Sequence, residues 1–412
     1  MYLTKRFRIK PTDELIRLCH VSNDLYNQTL YHWKQRYEKD GVILRFFDLD
    51  PEMREVTNSE GEKNYRLMPA RVSSCTVKMA WADISSFLSK MKSWKQSPKD
   101  HQKPEFPHYH KSGGMTAVHL DKLVFKIEDG RLIYNISKGC YVTIPNYEHW
   151  KDRFKKAKMV RVLPSRNDMT IEITYEADIV KADVSKERMA AIDLGVDNLC
   201  TVVCQSGCTI YNGKPLKSYN QFFSKQLAKA TSILYKQYPG EKPSSNRIRQ
   251  MHYKRKRYID TYMHTVSRKI VNQLIEEHVG LLIVGHNKGW KRGADLRKEQ
   301  NQKFAQTPFL KIQKQLKYKC EMAGIEYVEQ EESYTSKCDA LAMERIAYHD
   351  KYAGWRKNRG LFKSSTGKAI NADQNGALNI LRKYTGDERY LEVTAGWHLA
   401  GATKIVNVVC ES

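Results

Sequence analysis

The chain has 412 residues, 41% of them hydrophobic, and 70 Lys and Arg against 46 Asp and Glu give it a formal charge of +24. This composition supports several packed domains and excludes a disordered tail, and no apolar run approaches the ~20 residues of a membrane-spanning helix. Because the basic excess runs along the whole length, the expected partner is a nucleic acid rather than a lipid surface.

In chain order, residues 1–9 (MYLTKRFRI) read as a strand, and 12–38 as a helix with Leu15, Leu18, Val21, Leu25, Leu30 and Trp33 at near-helical spacing. A second helix is predicted over 67–95, with Met79, Trp81, Ile84, Phe87 and Leu88 inward. The following KQSPKDHQKPEFPHYHKSGG is a connector, because its prolines at 98, 104 and 107 fix the backbone and remove donors. Between 116 and 180 the short runs LVFKI, RLIYNI, YVTI, MVRVL and MTIEITYEA predict a small β-barrel or sandwich.

After Ser185 the order is strand, strand, long basic helix, strand, helix, strand, helix, the pattern of an α/β domain. Its longest helix is predicted over 244–278. An apolar stripe there (Ile248, Met251, Ile259, Met263, Val266, Ile270, Leu274) runs beside a basic band of Arg247, Arg249, Lys254, Arg255, Lys256 and Arg257. Such a band is either a solvated face or a phosphate-binding one; six cations within eleven residues repel one another unless an anion is near, which favours phosphate. The nine cysteines form an odd set without a CxxC pair, as expected in a reducing cytoplasm. Cys200, Cys204 and Cys208 repeat every four residues, but the Val, Thr and Ile between them and the turn residue Gly207 make them small buried hydrophobes of a strand pair.

Candidate chemistry lies in acids. Asp193 sits in RMAAIDLGVDNLCTVV, among apolar strand residues, where an ionised carboxylate costs several kcal/mol unless compensated. It either caps a turn or holds a metal. Glu331 and Glu332 close the strand GIEYVEQEES, and Asp373 opens the helix ADQNGALNILRK. Strand ends and helix starts meet at one rim of a parallel sheet, so these acids, about 140 and 180 residues from Asp193, can converge there. Converged carboxylates suit two hard divalent ions about 3.5 to 4 Å apart, the arrangement an RNase H-like nuclease uses on a phosphodiester. Taken singly, Asp373 can be an N-cap, and either glutamate can be a solvated strand end.

The segments AIDLGVDN (191–198), ESYTSKCDAL (332–341) and GLFKSSTGKAINADQNGALNI (360–380) resemble the RuvC segments of the TnpB family, transposon-encoded relatives of type V CRISPR effectors. The resemblance implies a multidomain α+β protein. An N-terminal wedge β-barrel (1–10 and 113–185) would carry a helical insert and connector (11–112), followed by an RNase H-like RuvC domain (186–334), a lid over 335–370 that binds target nucleic acid, and the end of RuvC with a tail (371–412). It further implies an RNA-guided DNA endonuclease of the prokaryotic cytoplasm, expected to be a monomer. Its partners would be a guide RNA and double-stranded DNA beside a short motif, and its cofactor two Mg²⁺ ions with Mn²⁺ as a substitute. Asp193 and Asp373 correspond to the first and third catalytic acids.

Two departures from the family pattern matter. The second acid usually ends the strand that here reads GLLIVGHNKGW, where Gly285, His286 and Asn287 offer no carboxylate. Adjacent parallel strands lie only about 4.8 Å apart, so a glutamate of the next strand can reach the same site. Alternation lets one of the pair face it; the reading leans to Glu331 as metal ligand and keeps Glu332 beside it as a catalytic candidate. If neither serves, the alternative is a nuclease-inactive, RNA-guided repressor; a transposase is a further rival. Second, the family's zinc ribbon is reduced to Cys338, and one thiolate makes no tetrahedral site, so no zinc is expected. Asp339 and His349 read as surface polars. The lid offers Trp355, Arg356, Lys357, Arg359 and Lys363, an aromatic and cationic mix suited to single-stranded DNA.

Overall fold

In the computed structural model the described residues, all but 99–101, 135–140, 165–168, 180, 241–244, 287–306, 359, 399–402 and 409–412, separate into two units, Met1–Asp178 and Ile179–Ser412. In the first, strand β1 (Tyr2–Ile9) leads into helix α1 (Asp13–Asp40). Thr12 caps this helix by accepting from the Leu15 N–H, and Gly41 ends it in left-handed backbone, φ 67°, which a residue without Cβ adopts freely. The stripe Leu15, Leu18, Leu25, Leu30 and Trp33 is buried and packs on α3 (Ala70–Gln96). Two eight-residue helices, α2 (Phe46–Met53) and α4 (Tyr147–Phe154), are too short to leave a clear period in the sequence.

Strands β2 (Val118–Asp121), β6 (Ala157–Pro164) and β7 (Met169–Glu176) join β1 in an antiparallel sheet of order β1-β7-β6-β2. Strands β3 (Phe125–Glu128), β4 (Arg131–Tyr134) and β5 (Tyr141–Thr143) form a separate three-stranded sheet. The expected barrel or sandwich segment is therefore two sheets sharing one core, with Leu120, Val160 and Ile171 from the first and Phe125, Leu132 and Val142 from the second.

The second unit is built on a six-stranded sheet, order β12-β11-β8-β9-β10-β16. Strands β8 (Ser185–Leu194), β9 (Asn198–Cys204) and β10 (Gly207–Asn212) run antiparallel in succession. Strands β11 (Val279–His286) and β12 (Glu326–Glu331) lie parallel beyond β8, and β16 (Lys404–Val406) lies parallel to β10. Residues 179–184, assigned to the barrel from sequence, belong to this unit: the Ala182 N–H donates to Ala323 O and the Ser185 N–H to His278 O. Alternation sends Ile192, Leu282 and Val284 to one face, under α6 (Asn246–Glu276) and α7 (Phe309–Ala323). It sends Ala191 and Ile283 to the other, under α8 (Ala372–Thr385). Strands buried on both faces read as continuous apolar runs, as β9, β11 and the second half of β8 do. Helix α5 (Lys214–Gln237) packs on α6, and α9 (Asp387–Thr394) on α8. The segment after β12 carries its own three-stranded sheet, β13 (Trp355–Asn358), β14 (Leu361–Lys363) and β15 (Ala369–Asn371). Cys200, Cys204 and Cys208 are buried in β9 and β10. Among the described residues, no helix is long and apolar enough to cross a membrane.

Candidate functional site

Asp193 is the penultimate residue of β8, between the buried Ile192 and Leu194. Helix α8 starts beside it. Asn371 supplies the cap, its side chain accepting from the Asp373 N–H at 2.9 Å, so Asp373 stands in the first turn rather than at the N-cap. The Asp373 carboxylate accepts from Asn198 Nδ2 at 2.7 Å and lies 3.5 Å from the Arg356 guanidinium. One turn along, a Cβ on Gly376 would lie 2.7 Å from Asp193 Oδ2. The helix gives up roughly 1 kcal/mol of intrinsic propensity at that glycine in exchange for the close approach.

The third acid comes from just past β12. Val284 of β11 pairs with Ile192, so position 285 stands level with Asp193. Gly285 presents no side chain there, and Glu332 Oε2 lies 2.7 Å from where its Cβ would be. The glutamate's carboxylate thus takes space that a side chain at 285 would fill. Desolvation, and then the charges of Asp373 and Glu332, hold the Asp193 carboxyl well above the ordinary carboxylate range. The Arg356 charge and the Leu194 amide oppose them.

Glu331 does not join these acids, which corrects the preference for it over Glu332. Its carboxylate accepts from Lys383 Nζ at 2.6 Å, from the Ser333 N–H at 2.7 Å and from the Ser333 hydroxyl. Against a desolvation cost, these bonds bring its pKa down to about 2. The two glutamates point apart, and the one engaged by Lys383 is committed to the surface. Among the described residues, no three His, Cys, Asp or Glu side chains stand close enough to hold a metal ion as they are. What unites Asp193, Glu332 and Asp373 is mutual repulsion that a cation relieves, and Arg356 supplies part of that charge.

Arg356 belongs to the lid. Trp355, Arg356 and Lys357 are exposed on β13, Lys363 is half-buried on β14, and Arg359 lies outside the described residues. Cys338 is buried with its thiol against the Arg345 and Ala347 carbonyls, 3.5 Å from each. Asp339 is fully buried, not the surface polar expected from sequence. On α6, Arg247, Arg249, Lys254, Lys256 and Arg257 are exposed. Arg255 leaves the band: its Nε donates to Asn220 at 2.8 Å and its guanidinium covers the Phe223 ring, while burial lowers its pKa. Three participants went unread in the sequence: Asn198, Gly376 and Lys383. Gly376 had a signal, since a glycine inside a helical pattern marks close backbone approach. The other two carried none.

Residues 171–291 match the model of the OrfB_IS605 family, described as a probable transposase, and residues 309–380 match the Cas12f1-like TNB domain. A curated relative, the TnpB-like protein ORF457 of Acidianus two-tailed virus, is 25% identical over 207 residues. That stretch is 48% of this chain and 42% of the relative, so the match spans less than half of either. In three dimensions, the protein chain of a Cas12f1–sgRNA–target DNA complex solved by cryo-electron microscopy has a similar fold. The likeness covers 89% of this chain and 82% of that one, with a TM-score of 0.58 at 12% identity. Two family models in succession and a TnpB-like relative thus agree that the chain is similar to TnpB-family proteins in sequence, and its fold is similar to that of a Cas12f1 chain.

Proposed function

We propose that this protein is an RNA-guided DNA endonuclease whose phosphodiester-cleaving site is formed by Asp193, Glu332 and Asp373. The convergence of these three acids at the rim of one sheet carries the reading. The strand order β10-β9-β8-β11-β12, an antiparallel meander followed by two parallel strands, supports an RNase H-like (RuvC) assignment for the second unit. The two sheets and helices α1 to α3 of the first unit fit a wedge with a helical insert. Similarity to TnpB-family proteins, and to a chain solved with sgRNA and target DNA, supports guide RNA and target DNA as partners. One chain supplies all three acids, which suits a monomer.

The donor set, three carboxylates whose repulsion raises one of them, fits a hard divalent ion such as Mg²⁺ or Mn²⁺ better than a soft one. Two such ions, when bound, stabilise the attacking and leaving oxygens of an in-line displacement. The chain's own groups do the rest. Asn198 orients Asp373, Gly285 and Gly376 leave room for Glu332 and Asp193, and Arg356 faces the acids from the lid. Trp355 can stack on a base while Lys357 and Lys363 meet the strand's phosphates, and the exposed cations of α6 serve the guide or the duplex.

The test is direct. The RNA that co-purifies with the protein is sequenced, and the complex is given a matching duplex target with Mg²⁺ or Mn²⁺. The wild type is expected to cut, and Asp193→Ala to bind the target without cutting. A wild type that binds but never cuts would leave the guided-repressor reading in its place.

A further inference from the structure

Beneath the lid lies a second polar assembly that the acid site does not use. At its centre the buried carboxylate of Asp339 accepts five hydrogen bonds. Oδ1 takes the N–H groups of Leu341 (3.2 Å) and Ala342 (3.3 Å); Oδ2 takes Ser364 Oγ (2.8 Å), the Ser365 N–H (2.7 Å) and Ser365 Oγ (3.1 Å). These donors come from the two ends of segment 341–365, so one side chain closes the loop. Inside it Glu344 closes a smaller ring, accepting the N–H of Asp339 at 2.7 Å and of Ala353 at 2.8 Å. The packing is tight enough that a Cβ on Gly354 would lie 2.5 Å from the Phe362 ring and 3.0 Å from Asp339 Oδ2.

The base of this loop is tied to the helix that bears Asp373. Asn375 of α8 accepts the Ala340 N–H at 3.0 Å and donates to Cys338 O at 2.8 Å; Asn379 donates to Thr335 O and Cys338 O at 2.9 and 2.7 Å. Strand β14, which ends at the residue before Ser364, pairs with β13, Phe362 opposite Arg356. The exposed β13 therefore inherits its position from the buried Asp339 carboxylate, which holds Ser364 two residues past Phe362. A metal knuckle organises a loop by one cation and several anionic ligands. Here the signs are reversed: an anion is the centre, and N–H and O–H groups are its ligands, each a charge-assisted bond.

We propose that Asp339 is a positioning residue that fixes the lid without zinc so that Arg356 faces Asp373. This rests on the nuclease reading for its effect on cleavage, but not for its effect on the lid. In the guide-loaded protein, Asp339→Asn turns an amide N–H toward the Ser365 N–H. Losing one bond to a buried charge should raise hydrogen exchange over 341–365 roughly ten- to a hundredfold; Arg356→Ala should leave exchange unchanged. Ser364→Ala, a milder change, should move exchange the same way and less, which guards against a misfolded Asn variant. Single-turnover cleavage should fall roughly tenfold or more in Asp339→Asn and in Arg356→Ala, and no further in the double variant, with target affinity held. Treatment with a zinc chelator followed by Mg²⁺ should change neither exchange nor rate. Wild-type exchange in Asp339→Asn, multiplicative losses in the double variant, or loss of protection on chelation would each overturn the proposal. A wild type that does not cut removes the nuclease reading alone, and the exchange result still decides the role of Asp339 in the lid.

Discussion

The sheet of the second unit and the lid at 335–370 both hold charged side chains in place, and they do so by opposite means. Around Asp193 the support is redundant: Ile192, Leu194, Leu282, Ile283 and Val284 are buried on two faces, so many contacts fix the strand on which the acid rides. The lid has three strands of three or four residues, one of them exposed throughout, and it depends on single buried polar groups such as Asp339, Asn375 and Asn379. An apolar core tolerates the loss of one contact because dispersion and burial are spread over many atoms. A polar knot does not, because one removed partner strands the others without hydrogen bonds in a dry place. Under the proposed function, the sheet would set where chemistry occurs and the lid how readily a strand is presented to it.

The largest expected effect breaks the site and spares its support. Asp193→Ala and Asp373→Ala should each take target cleavage below detection while the melting temperature holds or rises, since each removes a repelling charge. Residual cutting by either variant would show that the acids lack this role.

Next comes the glutamate pair. Glu332→Gln should lose cleavage as fully as Asp193→Ala, and Glu331→Gln should lose little, because its carboxylate is engaged by Lys383 and Ser333. Gly285→Ala should resemble Glu332→Gln, its added methyl colliding with Glu332 Oε2 and Ile380 Cδ1, both 2.7 Å away. The reverse ranking of the two glutamine variants would return the role to Glu331.

A third pair compares the two supports by the same chemistry. Leu282→Ala, in the sheet, should lower global stability by about 2 to 5 kcal/mol in urea unfolding. Phe362→Ala, under the lid, removes a larger side chain yet should act by local opening, with exchange rising over 341–371 and the global midpoint barely moving. A global loss from Phe362→Ala would make lid and sheet one cooperative unit.

Behind the sheet, Lys319 is buried with its ammonium donating to His264 O and Ser267 Oγ. Burial, with help from the Arg268 charge, pushes its pKa down to about 7. An unfolded lysine titrates near 10.4, so between about pH 7 and 10 the unfolded chain binds the extra proton and stability rises with pH, by at most roughly 1.4 kcal/mol per pH unit. Lys319→Met should be more stable at pH 7 and lack that rise; parallel pH profiles for the two proteins would refute it.

The smallest effect is on salt dependence. Neutralising Lys254, Lys256 and Arg257 should reduce the slope of log affinity against log salt by roughly 0.7 to 0.9 per lost phosphate contact, whereas Arg255→Ala, which loses packing on Phe223, should leave it unchanged. Equal slopes in all variants would make the band a solvated face.

Much of this molecule is legible in its sequence, because periodic burial writes itself into composition. The long helices α1, α3 and α6 and the apolar strands β8, β9 and β11 follow from their spacing, and Asp193 stands out because a lone acid in such a strand needs a reason. Even the empty position at Gly285 can be read directly. Short helices such as α2 leave no period, and which of two adjacent glutamates turns inward depends on where β12 ends and on Lys383, a residue of α8 some fifty positions later. The burial of Asp339 and the inward turn of Arg255 were likewise invisible, since a polar residue is hidden only when distant donors or rings converge on it. Local pattern determined the elements and the acid-bearing strand. Only the tertiary structure decided the third acid and the frame of the lid, because both rest on contacts between segments that no spacing along the chain records.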